Sequence, residues 1–265
     1  MSATILAIAN QKGGVGKTTS VINLTRAAVT ELDLRVLVVD ADPQGNATKA
    51  LAPEHQGSLT QSLATVLDKT KNTAIAAATV PGDWQGVDVV PAGSDDLADA
   101  AQSLVTMKAG RESRLKRALS EVADKYDLIL IDCPPSLDQL PINAFTAAHA
   151  VVIVTEPGQF ALDGLDRLLD TIDIVVEYTN PQLVIAGAII NGWQRTNRMD
   201  RWCNDLRKSL DAPILDPPIH RATWIAEATE AGRGLDEWNT PKASNLHRTY
   251  VEHLRKILDN VRKAS

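Results

Sequence analysis

The chain has 265 residues, 44% of them apolar and 23% charged, with a formal net charge of −6. That balance supports a large buried core and excludes a disordered chain, and no run approaches the roughly 18 apolar residues of a membrane span. Aromatic residues make up only 4%, so the core must be built from Val, Ile, Leu and Ala, as in strands covered on both faces.

Thr4–Ala9 is β-branched and apolar, and predicts a strand leading straight into the loop Lys12-Gly13-Gly14-Val15-Gly16-Lys17-Thr18-Thr19. Val21, Leu24, Ala27 and Ala28 then repeat at helical spacing. A strand, a glycine turn and a helix start together aim several backbone N–H groups at one point, where the helix dipole favours an anion. The loop therefore reads as a phosphate site for ATP. Lys17 would lie against the β- and γ-phosphates, and the Thr18 hydroxyl would bind Mg²⁺. Two positions depart from the ordinary phosphate loop: Gln11 stands where a glycine is usual, and Lys12 where a neutral residue is usual.

Arg35–Asp40 predicts a second strand ending on an acid, followed by the turn-rich string Asp40-Ala41-Asp42-Pro43-Gln44-Gly45-Asn46. Asp42 is the candidate for orienting or deprotonating an attacking water, and Asp40 for supporting the metal shell. The Ala/Thr-rich stretch 52–86 predicts short helices and loops, and Val87–Pro91 a weaker third strand. Asp127–Asp132 predicts another strand ending on an acid, which places Asp132 to hold a water on Mg²⁺. Val151–Thr155 and Leu183–Asn191 complete the predicted strands. Between them Leu162, Leu165, Leu168, Leu169, Ile172 and Val176 mark one helical stripe. Strands alternating with helices predict a three-layer α/β fold with a mostly parallel sheet, and nothing divides the chain into more than one domain. Cys133 and Cys203 form no ligand spacing; with no apolar leader, they lead to the expectation of a cytoplasmic protein.

These motifs together resemble the ParA family of deviant Walker A ATPases, the ParA/MinD group. The shared strings are Lys12–Thr19, Asp40–Asn46, Ile131–Ser136, Ile142-Asn143-Ala144, Glu156-Pro157, Phe160-Ala161-Leu162 and Gly164-Leu165. The resemblance covers most of the chain and is weakest over about 52–110. It implies that Lys12 crosses a dimer interface to the phosphates of the partner's ATP, with Gly13 permitting close approach, so that nucleotide bridges a homodimer. Asn191 would read adenine, as an amide can by donating and accepting at the base edge.

The resemblance also implies binding of double-stranded DNA without sequence preference. Arg195-Thr196-Asn197 and the segment His220–Thr229 match the family's basic strings, which assigns Arg195 and Arg221 to DNA. His220 replaces a proline and Trp224 replaces a second arginine; Arg198, Arg201 and Arg233 lie nearby to compensate. The acidic total does not oppose this, since residues 191–265 hold 13 Lys and Arg against 10 Asp and Glu, while residues 1–190 hold 14 against 23. Screening confines each field to about 8–10 Å.

The MinD branch binds membranes through a C-terminal amphipathic helix. Here Leu246, Tyr250, Leu254, Ile257, Leu258 and Val261 form such a stripe, but it lacks Trp and Phe, and a closing helix packed on its own domain is the expectation. Only Met1–Ala3 precede the first strand, so no operator-reading domain is expected. A metabolic enzyme or cluster reductase of the same fold would need companion cysteines or a substrate pocket. No activating glutamine or cis arginine finger can be assigned, so slow hydrolysis stimulated by a ParB-like or other cargo-adaptor partner is expected, with the protein on the nucleoid.

Overall fold

The computed structural model describes residues 3–55, 60–71, 73–158 and 161–264. Phe160 and the side chains of Ala161, Leu162, Arg198, Thr223 and Ala226, all used in reading the sequence, lie outside the described residues.

Alternation begins at once: β1 (Thr4–Ala9), α1 (Lys17–Glu31), β2 (Val36–Asp40) and α2 (Asn46–Leu51). The stretch expected to hold short helices and loops contains α3 (Leu63–Leu67), α4 (Ile75–Ala78) and a two-residue strand, β3 (Val80–Pro81). There follow β4 (Val87–Val90), α5 (Asp95–Val105), α6 (Arg114–Ser120), β5 (Leu128–Asp132) and α7 (Gln139–Ala147). The second half runs β6 (Ala150–Thr155), α8 (Ala161–Tyr178), β7 (Val184–Ile190), α9 (Asn197–Ser209), β8 (Ile214–Leu215), α10 (Thr223–Glu230) and α11 (Pro241–Ala264).

All eight strands join one sheet in the order β3-β4-β2-β5-β1-β6-β7-β8. Every pairing is parallel except β3 with β4. The side-chain period of two splits each strand between the faces. Ala7, Ala9, Leu37, Val39, Ile129 and Ile131 point to one core, covered by α3 and by α5 to α9. Leu6, Ile8, Val36, Val38, Leu128 and Leu130 point to the other, covered by α1, α2, α10 and α11. This is the three-layer arrangement expected.

Strand ends differ from expectation by about one residue, and β3 and β8 were not foreseen. Arg35 and Asp127, predicted to begin strands, instead bind each other through side chains, Arg35 Nε donating to Asp127 Oδ2 at 3.1 Å. On α11, Tyr250, Leu254 and Ile257 are fully buried, and Val261 nearly so, against α1 and β7. The apolar stripe is thus spent on the protein's own core. Among the described residues no helix is long and apolar enough to cross a membrane.

Candidate nucleotide site

Parallel register sets the site. Asp40 lies opposite Asp132 at the carboxyl ends of β2 and β5, and Ile8 of β1 pairs with Asp132 on its other side. The loop that leaves β1 is therefore delivered between two acids.

That loop is fastened at its start by Asn10, a residue the sequence did not single out. Its Nδ2 donates to the Val154 carbonyl at 2.7 Å, and its Oδ1 accepts from the Lys12 N–H at 2.9 Å. An amide placed directly after a strand and before glycines was the available signal. Gly14 and Gly16 have φ of +76° and +91°, the left-handed region that glycine adopts without cost. Gly13 rests on Pro135, within the Pro-Pro segment that follows β5. Gly16 also sits where a Cβ would collide with the Asn191 amide. Val15 is buried, and its carbonyl accepts from Asn191 Nδ2 at 2.8 Å. Asn191 thus holds the loop from below, and its Oδ1 faces no protein donor among the described residues.

Lys17 is buried, with its Nζ donating to the Lys12 carbonyl at 3.3 Å. Burial lowers its pKa, against the opposing pull of Asp132, Cys133 and Asp42. Thr18 Oγ1 donates to Asp132 Oδ2 at 2.7 Å, while Asp132 Oδ1 is buried with no partner. Burial and then the charge of Asp40 push the Asp132 carboxyl well above the usual carboxylate range. Thr19 follows in the first turn of α1, its carbonyl taken by Asn23 Nδ2 at 2.8 Å.

Asp40 is fully buried and already employed. Its Oδ2 accepts from the Thr48 N–H at 2.7 Å and from Thr48 Oγ1 at 2.6 Å, and its Oδ1 accepts from the Asp42 N–H at 3.3 Å. Burial raises its pKa to about 6 despite those bonds. Thr48 was missed in the sequence, although a threonine in the first turn of a helix that follows a strand-end acid is a recognisable anchor. Asp42 Oδ1 accepts from the Gln44 N–H at 3.0 Å, which leaves Oδ2 without a protein donor among the described residues. Lys12 is exposed, and its ammonium enters no ion pair among the described residues.

The late basic residues converge as well. Trp193 and His220 form a bridge between two loops, with their rings edge to face at 4.7 Å. The Arg221 N–H donates to the Trp193 carbonyl at 3.1 Å, so exposed Arg195 and exposed Arg221 belong to adjoining loops. Trp224, standing where a second arginine was expected, packs against the apolar core. A cleft of about 820 Å³ opens beside it, lined in part by Gln194, Arg221 and Lys242 and by no residue of the phosphate loop.

Comparison with known proteins agrees with this geometry. A family model described as an AAA domain matches residues 3–185. The sporulation initiation inhibitor protein Soj of Bacillus subtilis is 41% identical over 87% of the chain and 89% of its own length. The chromosome partitioning protein ParA of Caulobacter vibrioides is 36% identical over 97% and 95%. Among solved structures, cobyrinic acid a,c-diamide synthase from Mycobacterium smegmatis, with a bound ATP analogue and magnesium, is 39% identical with a TM-score of 0.75, covering 86% of this chain and 92% of that one. The ATP complex of a McdA variant from Cyanothece shares the fold at a TM-score of 0.83, with 22% identity over 97% of both chains. With a family model spanning most of its length and partition relatives matched almost end to end, the chain belongs to the ParA family of deviant Walker A P-loop ATPases.

Proposed function

We propose that this chain is a partition ATPase of one domain, which closes into a homodimer around ATP and Mg²⁺ and binds duplex DNA without sequence preference while ATP is held. Hydrolysis stimulated by a ParB-like or other cargo-adaptor partner then releases it, and the cycle segregates or positions DNA or another cargo on the nucleoid. One observation carries the reading. Lys17, the Thr18–Asp132 pair and Asp42 meet at the carboxyl edge of the sheet with unspent bonding capacity, while exposed Lys12 stands on the rim.

The residues fit a metal–triphosphate. Asp132 Oδ1 is a buried acceptor without a donor, and three carboxylates crowd one another with only Lys17 to balance them. Among the described residues no three His, Cys, Asp or Glu side chains form a self-sufficient metal cage. That suits magnesium, which is commonly held by one or two protein groups together with phosphate oxygens. Bound magnesium would draw charge from the β- and γ-phosphate oxygens and so ease cleavage between them.

The chain's own groups supply the rest. Loop N–H groups of residues 13–19 and the Lys17 ammonium bind the phosphates. Thr18 offers its hydroxyl to the metal, and Asp132 fixes that hydroxyl and a metal-bound water. Asp42, with a free oxygen, orients the attacking water and takes its proton, while Asp40 steadies the turn that carries Asp42. Asn191 Oδ1 is placed to accept from the adenine amino group. Lys12 neutralises the partner subunit's nucleotide, since two polyanions brought face to face repel unless a cation lies between them. Arg195 and Arg221 contact DNA phosphates, and a dimer doubles each contact.

The metabolic alternative needs a substrate cavity at the phosphate loop, and the large cleft lies elsewhere. The membrane alternative needs the α11 stripe, which is buried. A mobility shift on nonspecific duplex DNA tests the proposal. Wild type should bind with ATP and lose affinity steeply as salt rises, whereas Arg221→Ala should bind several-fold more weakly with a shallower salt slope. Absent or ATP-independent binding at low salt would overturn it.

A further inference from the structure

The outer face of α8 breaks two rules of a solvent-facing helix at once. Leu165, Leu168, Ile172 and Val175 turn inward and are buried. Outward stand Asp166, Arg167, Asp170, Asp173, Ile174, Glu177 and Tyr178. Ile174 is 55% exposed and Tyr178 72%, two of the three large apolar side chains so exposed among the described residues. They lie four residues apart, hence side by side on the helix. Beside them the acids fall at spacings of three and four, which places like charges next to each other; each such pair costs the helix a few tenths of a kcal/mol. Glu177 also sits in the last turn, where the helix dipole disfavours an anion. Among the described residues none of these four acids makes a salt bridge, and Arg167 is the single cation in α8.

We infer that this face docks a basic amphipathic segment of the partner protein, its apolar side chains on Ile174 and Tyr178 and its Lys and Arg residues along Asp166, Asp170, Asp173 and Glu177. The inference rests on the partner-stimulated cycle proposed above and assigns it a surface. Charge selects the occupant. DNA phosphates and anionic lipid are repelled by the acidic row, and a second copy of the chain would set acid against acid. A cationic polypeptide with an apolar face satisfies both halves of the patch, and charge of this kind speeds encounter and fixes register.

The position links the face to the nucleotide. At the other end of α8, a Cβ on Gly164 would lie 3.9 Å from Gln11 Oε1, and Gln11 directly precedes Lys12. From Gly164 to Tyr178 the helix spans about 21 Å as one rigid rod. A segment seated on the acidic face therefore bears on an element that abuts the phosphate loop.

The test uses the full chain with Mg-ATP and a fluorescein-labelled synthetic peptide of Leu, Lys and Arg whose leucines share one helical face. A scrambled peptide of equal composition is the control. Anisotropy should show the amphipathic peptide binding at least tenfold tighter than the scramble. Both Ile174→Ser with Tyr178→Ser and Asp170→Asn with Asp173→Asn and Glu177→Gln should reduce it to the scrambled level, with unchanged melting curves. ATP turnover should rise several-fold with the amphipathic peptide on wild type alone. Equal binding of the two peptides, or binding indifferent to both sets of changes, would overturn the assignment. So would self-association of wild type in sedimentation that the Ile174 and Tyr178 changes abolish. Duplex binding separates the two ideas. A chain that holds DNA with ATP but treats both peptides alike loses only the docking face, and one that discriminates the peptides but ignores DNA loses only the partition reading.

Discussion

A methyl group on Gly16 would meet two obstacles, on Gly14 only one. Both residues hold left-handed backbone, which costs a residue with a Cβ about 1–2 kcal/mol. At Gly14 nothing lies within 4 Å of the added carbon, whereas at Gly16 it strikes the Asn191 amide. Gly16→Ala should therefore lower the melting temperature more than Gly14→Ala, and adding Asn191→Ala should recover part of the difference. Equal losses in thermal melts would show that the clash is relieved without cost. The acids make a second prediction. Burial holds Asp132 well above the usual carboxylate range and Asp40 at about 6. Between about pH 4 and the raised values the folded chain binds more protons than the unfolded one, so these groups withdraw stability as pH rises. Asp132→Asn removes one such charge. Without nucleotide its melting temperature should exceed that of wild type by several degrees near pH 8, and by less near pH 5, while ATP turnover is lost. An advantage that shrinks with rising pH would refute this. The loop glycines, Lys17, Thr18 and the strand-end acids were legible because their spacing is itself the chemistry. Asn10 and Thr48 were not, because each acts through one hydrogen bond to a partner far along the chain or across a turn.

Helix α1 carries the phosphate loop at one end and is secured near the other by residues from the last third of the chain. Arg26, only 13% exposed, donates to Asp236 and Glu237 and lies 5.0 Å over the Trp84 ring. Arg35 pairs with Asp127 on the surface, 60% exposed. Removing the first arginine strands a half-buried carboxylate and uncovers an indole, at a cost of about 1–3 kcal/mol. Removing the second costs under about 1 kcal/mol. Melting of Arg26→Ala and Arg35→Ala side by side should separate them by several degrees, and the reverse order would mean that the buried network is not a fastening. None of this was readable in advance, since neither Arg26 nor Asp236 belongs to a periodic pattern. The strands were readable wherever four or more β-branched residues ran together. The two-residue strands β3 and β8 fell below that length and are defined by the neighbours they pair with. The α11 stripe was legible as a stripe, and only packing could say what covers it.

The whole molecule has one acidic side of its chemistry and one basic. Net charge is −6, yet the adjoining loops of Arg195 and Arg221 present cations together, and Lys12 stands exposed beside the phosphate loop. Dimerisation around nucleotide should depend on that lysine alone among the loop's exposed side chains. Light scattering with ATP should give a dimer for wild type and a monomer for Lys12→Ala, with at least a tenfold fall in dimer fraction and no change in melting. A Lys12→Ala chain that still dimerises would remove the bridging role. Global architecture was the most legible level, because alternating patterns admit few topologies. What alternation could not convey was the meeting of the 190s with the 220s, which depends on one backbone bridge.

The Asn191 clamp gives the molecule an internal gearing. The same residue grips the Val15 carbonyl and stands two positions before Trp193, whose carbonyl holds Arg221. Any rotation of the Val15 peptide as phosphate arrives is passed through a single amide to the stem of both basic loops. The ratio of that transmission is set by a few bonds, not by the rigid sheet beneath.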